Sequence, residues 1–344
     1  MPVTRRSVLS LLALGPVLAA CGVGGSSSDS GPGKEKAVRI AYQSFADSTL
    51  LLKDQSTLEK ALPDHKITWT AFDSGASINT AFLGGAIDLA VIGSSPTAQA
   101  LCPPLNIPYK VIELLNVIGD SEALVARKAS GVTKPADLVG RKVAAPFGST
   151  AHYSLLAALQ QAGVDPGAVT LVDLEPQNIQ AAWQRGDIDA AYVWTPVLSV
   201  LQQDAVTLTD SAKLAAAGKP TLTFTVARTG FIDDNPDVIA KWLEATDHAI
   251  GLVKTDPTVV AEAVSRQIGS SKEDAAAQLK QNIYLDHAEQ RGPEYFGTKE
   301  SPGRLADRLR DAAEFLHGQK KIESVPDLET FRAALLAPGA VDGK

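Results

Sequence analysis

Three short stretches of the sequence combine glycine with small hydroxyl side chains where a strand is expected to lead into a helix. They are residues 73–77, 93–97 and 148–150. At such a junction the first backbone N–H groups of the helix lack partners within the helix, and the positive end of the helix dipole points outward. This arrangement binds anions without a cationic side chain. Helix capping favours the same residue types, so both interpretations remain open for any single junction.

Two kinds of side chain in the sequence suit a small charged ligand. An anionic group would accept hydrogen bonds from the three junctions, whose candidate residues are Ser74, Gly75, Ser77, Ser94, Ser95, Ser149 and Thr150. An ammonium group would need acceptors, and Asp47 and Glu122 are acids near predicted strand ends. Tyr192 and Trp194 lie at the end of another predicted strand and are expected to line one side of a cleft, where an aromatic face attracts a cation.

The sequence shows none of the patterns typical of a catalytic centre. It has no glycine-rich phosphate loop, no nucleophile elbow and no pair of histidines at helical spacing. The five histidines are scattered singly, and His152, which lies near a candidate site, is predicted to sit in the first turn of a helix. We therefore predict that the protein is not an enzyme and that it binds no metal and no cofactor.

Short apolar runs alternate with helical patterns from residue 38 onward, which predicts an α/β fold. Strands are expected at 38–42, 67–72, 89–92, 124–126, 142–145, 169–174, 190–193 and 222–227. Helices are expected at 50–62, 78–83, 153–162, 179–184, 239–253, 259–268, 272–282 and 305–316. In open α/β sheets, ligands usually bind at the carboxyl ends of the strands, which is where the three junctions are predicted to lie.

Two lobes are expected, because about 310 residues exceed what one hydrophobic core usually serves. An internal echo supports this division: the stretch 85–90, Gly-Ala-Ile-Asp-Leu-Ala, recurs at 186–191 as Gly-Asp-Ile-Asp-Ala-Ala. In each copy a glycine ends a helix, a turn carries an acid and a buried strand follows. We expect lobe 1 to comprise residues 37–128 and 225–340, and lobe 2 residues 129–224, with a ligand cleft and a hinge between them.

The first residues have the form of an export signal. Arg5 and Arg6 precede an apolar run of thirteen residues, 8–20, which is too short to span a bilayer. The run ends at residues 18–21 in Leu-Ala-Ala-Cys, which resembles a bacterial lipobox, where the cysteine is acylated and the preceding peptide is removed. Residues 1–21 are therefore predicted to be a lipoprotein signal peptide with lipidation at Cys21, and residues 22–36 a flexible tether. General secretory and twin-arginine export both fit.

The composition limits the remaining classes of protein. A hydrophobic content of 45% with 21% charged residues is ordinary for a globular protein, and the net charge of -7 without a basic block argues against nucleic acid as a partner. With Cys21 assigned to a lipid anchor, Cys102 has no disulfide partner and is predicted to be a small buried hydrophobic residue. A monomer is expected.

An ordered set of stretches resembles the family of taurine-binding proteins of bacterial ABC importers, which also includes aliphatic sulfonate and nitrate receptors. The stretches are 72–78, 93–96, 121–125, 146–147, 149–150, 152–159 and 181–194, and the likeness extends over about residues 38–231. The resemblance implies a type II periplasmic-binding-protein fold and substrate capture without chemistry. It also implies an ABC permease and its ATPase as partners, and a location at the outer face of the cytoplasmic membrane or in the periplasm.

One position departs from the pattern of that family. In the family, the Pro-Thr-Leu found here at 220–222 is followed by an acid, whereas this chain has Thr223. If that acid pairs with the ammonium group of taurine, then Thr223 marks a changed part of the ligand site and Glu122 is the candidate to compensate. The ligand is thus expected to be taurine or a related small alkylsulfonate.

Three alternatives remain open from the sequence. The protein could bind another small anion such as nitrate, or it could serve a sensor in place of a transporter. The third is an enzyme related to thiamine-pyrimidine synthase, which shares the fold but would need a reactive histidine and a metal-binding cysteine cluster, and neither pattern is visible.

Overall fold

The computed structural model describes residues 36–336, so the predicted signal peptide, Cys21 and nearly all of the predicted tether lie outside the described residues. The strands of the described part, in chain order, are β1 Lys36–Tyr42, β2 His65–Ala71, β3 Leu89–Gly93, β4 Tyr109–Val117, β5 Glu122–Arg127, β6 Lys142–Ala145, β7 Thr170–Asp173, β8 Ala190–Trp194, β9 Ala205–Asp210, β10 Leu222–Arg228 and β11 Ile283–Tyr284.

The α-helices in the same range are α1 Thr49–Asp54, α2 Thr57–Ala61, α3 Gly75–Leu83, α4 Ser94–Ala100, α5 Thr150–Gln161, α6 Pro176–Arg185, α7 Val197–Leu201, α8 Ser211–Ala216, α9 Thr229–Asp234, α10 Pro236–Thr255, α11 Pro257–Ile268, α12 Lys272–Leu279, α13 His287–Gln290, α14 Leu305–Gly318 and α15 Leu328–Ala333. No helix within residues 36–336 is both long and apolar enough to cross a membrane.

Local sequence signals explain several of the helix boundaries. Ser74 and Ser149 cap α3 and α5 by accepting a backbone N–H of the first turn, and α6 begins at Pro176, whose missing N–H costs nothing at this position. Gly186 ends α6 in the left-handed conformation at φ 79°, which a residue with a side chain rarely adopts. The predicted helix at 50–62 is divided into α1 and α2 because Ser56 adopts φ 51°.

A six-stranded sheet, in the order β11-β4-β10-β3-β1-β2, forms lobe 1 together with the helices packed on it. Strand β1 pairs in parallel with β2 and β3, whereas β10 runs antiparallel to both β3 and β4. Apolar side chains cover both faces of the sheet, with Trp242 of α10 in the core on one face and Leu309 of α14 in the core on the other. Cys102 is fully buried in this second core, as the sequence predicted.

A five-stranded sheet, in the order β7-β6-β8-β5-β9, forms lobe 2. Strand β6 pairs in parallel with β7 and β8, and β5 runs antiparallel to β8 and β9. Helix α5 contributes Leu155 and Leu159 to the core on one face, and α6 contributes Ile179 and Trp183 to the core on the other.

The two lobes share one local structure, as the repeated motif at 85–90 and 186–191 suggested. Asp88 precedes β3 and accepts the backbone N–H of Arg39 at 3.0 Å, and Asp189 precedes β8 and accepts that of Lys142 at 2.9 Å. In each case the carboxylate just before one strand accepts a backbone N–H of the neighbouring parallel strand. Asp88 also accepts side-chain hydrogen bonds from Arg39 and Arg228. Burial alone would raise the pKa of Asp88, but these arginines outweigh it and hold the pKa below its usual range.

The chain crosses between the lobes earlier than the sequence predicted. Strand β5 pairs with β8 and β9 in lobe 2, so the first crossing is the segment 118–121 and not residue 128. The return crossing lies between β9 and β10, and β10 begins at Leu222 within lobe 1, ahead of the expected boundary at 224. An apolar strand such as β5 suits either sheet, and only its pairing partners decide to which lobe it belongs.

Candidate ligand-binding site

A cavity of about 50 Å³ lies between the two sheets. A buried water needs at least about 10–15 Å³ by this measure, so the space suits a ligand of only a few non-hydrogen atoms. Fifteen residues line it: Gln43, Phe45, Ala46, Gly75, Gly93, Pro96, Ile118, Ser121, Glu122, Ser149, Thr150, Trp194, Thr195, Thr223 and Asn282. They come from both lobes and from the crossing segment 118–121, as expected of a cleft site.

The junction at the start of α5 is the one whose hydroxyl residues reach the cavity. Ser149 and Thr150 both line it. The Ser149 hydroxyl donates to the carbonyl of Pro146 at 2.5 Å and accepts the N–H of His152 at 3.2 Å, so it also caps the helix. The Thr150 hydroxyl donates to Glu122 at 2.6 Å. The amino end of this twelve-residue helix, with its positive dipole end, therefore adjoins the cavity.

The serines of the junction at residues 73–77 act as helix caps. Ser77 donates its N–H to the Ser74 hydroxyl at 3.4 Å, and the Ser77 hydroxyl accepts the N–H of Ser74 at 3.2 Å. Neither side chain lines the cavity, whereas Gly75 does. A Cβ on Gly75 would lie 2.4 Å from the Cγ of Pro96, so glycine permits close packing of α3 against α4.

The serines of the junction at residues 93–97 also lie outside the cavity lining. Ser94 accepts the backbone N–H of Leu222 at 3.0 Å, which ties α4 to the start of β10. Ser95 is buried, and its hydroxyl has no hydrogen-bond partner within the described residues. The cavity is instead lined by Gly93 and Pro96 of this junction. Ser94 and Ser95 therefore do not line the cavity, and their contact with a ligand stays a prediction.

Glu122 is the ionisable side chain that lines the cavity. It is 1% exposed, and its carboxylate accepts hydrogen bonds from Thr150 at 2.6 Å, Ser211 at 3.0 Å and Ser154 at 3.4 Å. Burial raises the pKa of Glu122 to about 7, against the opposing effect of these hydroxyl donors. Among the fifteen lining residues there is no lysine, arginine or histidine. The site therefore offers a carboxylate without a protein cation to neutralise it.

The second candidate acid, Asp47, is buried next to the residues that line the cavity but does not line it. It accepts the N–H of Thr49 at 2.8 Å and the side-chain amide of Asn116 at 3.3 Å. Burial raises the pKa of Asp47 to about 6. Its hydrogen bonds fix the loop after β1, from which Gln43 and Phe45 reach the cavity.

Of the predicted positions Tyr192, Trp194 and Thr223, two line the cavity and one does not. Trp194 and Thr223 line the cavity, so the position at which this chain departs from the taurine-type pattern does face the site. Tyr192 is fully buried, and its hydroxyl shares a hydrogen bond of 3.1 Å with Ser211, behind Glu122.

His152 lies in the first turn of α5, as predicted, and its ring stacks on that of Phe147 at 4.2 Å between ring centroids. Burial, with a smaller effect of Lys321, lowers the pKa of His152 to about 4.

Asn282 is a lining residue that the sequence analysis missed. Its side-chain oxygen accepts the N–H of Gly119 at 3.1 Å and the hydroxyl of Ser121 at 2.6 Å. It thus joins the loop after α12 to the crossing segment 118–121. No local pattern marks Asn282, because its partners lie more than 160 residues earlier in the chain.

The lobes touch each other at the edge of the cavity. A Cβ on Gly93 of lobe 1 would lie 2.6 Å from the methyl Cγ2 of Thr150 in lobe 2. The Ser74 hydroxyl donates to Glu175 of lobe 2 at 2.9 Å. Burial, and secondarily the nearby Asp73 and Asp173, raise the pKa of Glu175. The structure is therefore that of a closed cleft.

Comparison with known proteins agrees with this geometry. Residues 36–280 match the family described as the substrate binding domain of the ABC-type glycine betaine transport system, which is more than half of the chain. The chain belongs to this family of ABC-type substrate-binding domains.

Two curated proteins are similar to this chain over most of their length. The taurine-binding periplasmic protein of Escherichia coli K12 is 37% identical over 294 residues, covering 84% of this chain and 88% of that protein. The putative aliphatic sulfonates-binding protein of the same organism is 30% identical over 254 residues, covering 73% and 76%. Both relatives are named as binding proteins, in agreement with a chain that belongs to a substrate-binding family.

A solved structure supports the fold. The alkanesulfonate-binding protein SsuA from Xanthomonas axonopodis pv. citri, bound to MOPS, superposes with a TM-score of 0.72 at 22% identity, covering 87% of this chain and 98% of that one. The predicted periplasmic-binding-protein fold, with two α/β lobes and a cleft, is confirmed.

Proposed function

We propose that this substrate-binding protein captures taurine, or a closely related small alkylsulfonate, and delivers it to an ABC importer. The observation that carries the choice of taurine is the buried carboxylate of Glu122, which lines a small cavity without a cationic side chain. A buried carboxylate is stabilised by a nearby cation, and the lining residues supply none. The ammonium group of a zwitterionic ligand would supply it.

The sulfonate end of the ligand would lie against the amino end of α5, since the hydroxyl hydrogens of Ser149 and Thr150 are already donated to Pro146 and Glu122. The first turn of α5 brings Ser149, Thr150 and the positive end of a helix dipole to the cavity. Gln43 and Asn282 add side-chain amides to the lining. A net-neutral zwitterion thus pairs its cation with Glu122 and its anion with dipoles. The curated relatives, one named as taurine-binding and one as aliphatic sulfonates-binding, support the same ligand class.

Calorimetric titration of the purified protein at pH 8 tests this proposal. We expect taurine to bind with a Kd in the micromolar range or below, which corresponds to about -8 kcal/mol or better. Ethanesulfonate, which has no ammonium group, should bind at least about tenfold more weakly, because a hydrogen bond to a charged group contributes roughly 1.5–3 kcal/mol. Sulfate, nitrate and glycine betaine serve as controls. Equal affinity for taurine and ethanesulfonate would instead identify a general alkylsulfonate receptor, and no binding of any sulfonate would reject the proposed ligand class.

We propose further that the protein is exported and held by a lipid on Cys21 at the outer face of the cytoplasmic membrane or in the periplasm. The lipobox-like sequence at 18–21 and the Gly/Ser-rich stretch that follows support this location, and so does a relative named as periplasmic. Capture of the ligand as a monomer, without chemistry, and delivery to a permease with its ATPase would follow from membership of a substrate-binding family.

The hydrogen bond from Ser74 to Glu175 across the cleft should contribute to ligand affinity, because it forms between the lobes. We expect Glu175→Ala to weaken taurine binding about three- to tenfold, since a hydrogen bond contributes about 0.5–1.5 kcal/mol. Glu175→Gln keeps an acceptor at the same place and should bind taurine within about twofold of the wild type. The comparison is made by calorimetry, and equal affinities in the Ala and Gln variants would show that the bond does not stabilise the closed cleft.

A further inference from the structure

The surroundings of Glu122 allow its carboxyl group to be hydrogen-bonded in either protonation state. All three of its partners, Thr150, Ser154 and Ser211, are hydroxyl groups. A hydroxyl donates to a carboxylate and accepts from a carboxylic acid by rotating its hydrogen. Ser211 in turn shares hydrogen bonds with Ser154 at 3.4 Å and with Tyr192 at 3.1 Å, so the chain of hydroxyls can reorient together.

No charged side chain of the neighbouring elements neutralises Glu122. Helix α5 presents Thr150 and Ser154, while its His152 stacks on Phe147 and its Tyr153 packs on Phe315. Strand β8 places Trp194 opposite Glu122 and Tyr192 behind it, and the pKa of Tyr192 is raised well above its usual value by burial and then by Glu122 itself.

The remaining neighbours of Glu122 are strand β9 and helix α8. They present Asp210, which caps α8 and pairs with Lys213 at 2.8 Å, and the neutral Ser211. The charge of Glu122 is therefore balanced by the ligand or by a proton.

We infer that Glu122 makes this cavity select ligands by their net charge: a sulfonate with an ammonium group binds the ionised carboxylate, and a sulfonate without one binds only together with a proton. The inference rests on the proposed function and adds a rule for the ligand class. It follows from geometry, since a second anion beside an unneutralised, 1% exposed carboxylate in a cavity of about 50 Å³ has no cation to offset the repulsion.

The two ligand classes should therefore show opposite pH dependence. Burial raises the pKa of Glu122 to about 7. A ligand that needs the protonated acid binds fully below this pKa and loses about tenfold in affinity for each pH unit above it. A ligand with an ammonium group prefers the carboxylate, so its affinity falls as the pH drops below about 7 and is level above it, until the ammonium group itself loses its proton.

Calorimetry with the purified protein between pH 5.5 and 8.5 tests the inference. Taurine and ethanesulfonate are titrated in pairs of buffers that differ in ionisation enthalpy, so that the number of protons exchanged per ligand is measured directly. We expect ethanesulfonate to take up close to one proton per site at pH 8 and to bind about tenfold or more tightly at pH 6 than at pH 8. Taurine should release a proton at pH 5.5 and exchange none at pH 8.

Two variants assign the proton to Glu122. In Glu122→Gln, which is neutral and similar in shape, ethanesulfonate should bind without proton uptake and equally at pH 6 and pH 8, and taurine should bind at least about tenfold more weakly than in the wild type at pH 8. Asp47→Asn is the matched control: Asp47 is also buried with a pKa raised to about 6, but it does not line the cavity. It should leave the proton counts unchanged.

The outcomes separate this inference from the proposed function. If neither sulfonate binds at any pH, the proposed function fails and the inference fails with it. If sulfonates bind but ethanesulfonate takes up no proton at pH 8, or takes one up equally in Glu122→Gln, only the charge-selection rule is overturned. The wild-type proton count decides this even if the Glu122 variant does not fold.

Discussion

Gly93→Ala is expected to weaken taurine binding about 5- to 150-fold while leaving the unfolding of the ligand-free protein nearly unchanged. A Cβ at this position would lie 2.6 Å from Thr150 Cγ2, and these two residues belong to different lobes. Overpacking of this kind costs about 1–3 kcal/mol, which corresponds to the stated range of affinity. The backbone of Gly93, at φ -75° and ψ 159°, accepts alanine without strain. The cost therefore falls on closure of the cleft.

A second substitution should restore binding, because the clash involves one methyl group. Thr150→Ser removes Cγ2 and keeps the hydroxyl that donates to Glu122. The next contacts of the added Cβ would be Pro96 Cδ and Thr150 Oγ1, both at 3.6 Å, which is ordinary packing distance. We expect Thr150→Ser alone, and the double variant Gly93→Ala/Thr150→Ser, to bind taurine within about threefold of the wild type. The four affinities are measured by calorimetry at pH 8.

Two results would contradict this account of the closed cleft. Wild-type affinity in Gly93→Ala would mean that the lobes are farther apart in the bound state than in the structure. A double variant no better than Gly93→Ala would mean that the loss arises within lobe 1 and not from Thr150.

The sequence predicted the architecture because its apolar periodicity is strong and local. The alternation of strands and helices and the paired motifs at 85–90 and 186–191 all depend on neighbours within a few residues. Strand β4, which lies between β11 and β10 in the sheet of lobe 1, was missed. Its run of Tyr109–Val117 contains Glu113, which is buried only because it accepts hydrogen bonds from Trp242 at 3.3 Å and pairs with His287 at 3.0 Å. Those partners are not visible in a local pattern.

The candidate site was predicted in part, for the same reason. Helix-start chemistry indicated Ser149 and Thr150, which reach the cavity, but it equally indicated Ser74 and Ser95, which do not. Helix capping and ligand binding use the same residue types. A capping residue contacts the ligand only if it also faces the other lobe, and the sequence does not show which way it faces. Lining residues such as Gln43 and Thr195 lie in connections between elements, where the sequence carries no periodic signal.

Substitution of Gly119, in the crossing segment 118–121, is expected to have the second large effect on ligand binding. A Cβ at this position would lie 2.0 Å from the carbonyl oxygen of Gln281, and the backbone of Gly119 is not in the left-handed region, so the obstacle is steric. A second substitution can remove the methyl group of Thr150, but no substitution removes the backbone carbonyl of Gln281, so this clash cannot be relieved in the same way. We expect Gly119→Ala to lower the free energy of unfolding by about 1–3 kcal/mol and to weaken taurine binding at least about tenfold, as measured by thermal unfolding and calorimetry.

The loss of affinity should act through Asn282, whose side chain is held by Gly119 N–H and the Ser121 hydroxyl at the cavity. In an Asn282→Ala background, Gly119→Ala should therefore weaken taurine binding little further, while it still lowers stability. Additive losses of affinity would show that the crossing segment acts on closure independently of Asn282. Gly251→Ala is the control: Gly251 lies in α10, and apart from the backbone of its own helix and its chain neighbours no atom lies within 4 Å of the added Cβ, so the substitution should stabilise the protein by about 0.5–1 kcal/mol without changing affinity. A fall in affinity in Gly119→Ala but not in Gly251→Ala would show that ligand binding depends on the contact between the first crossing and the loop after α12.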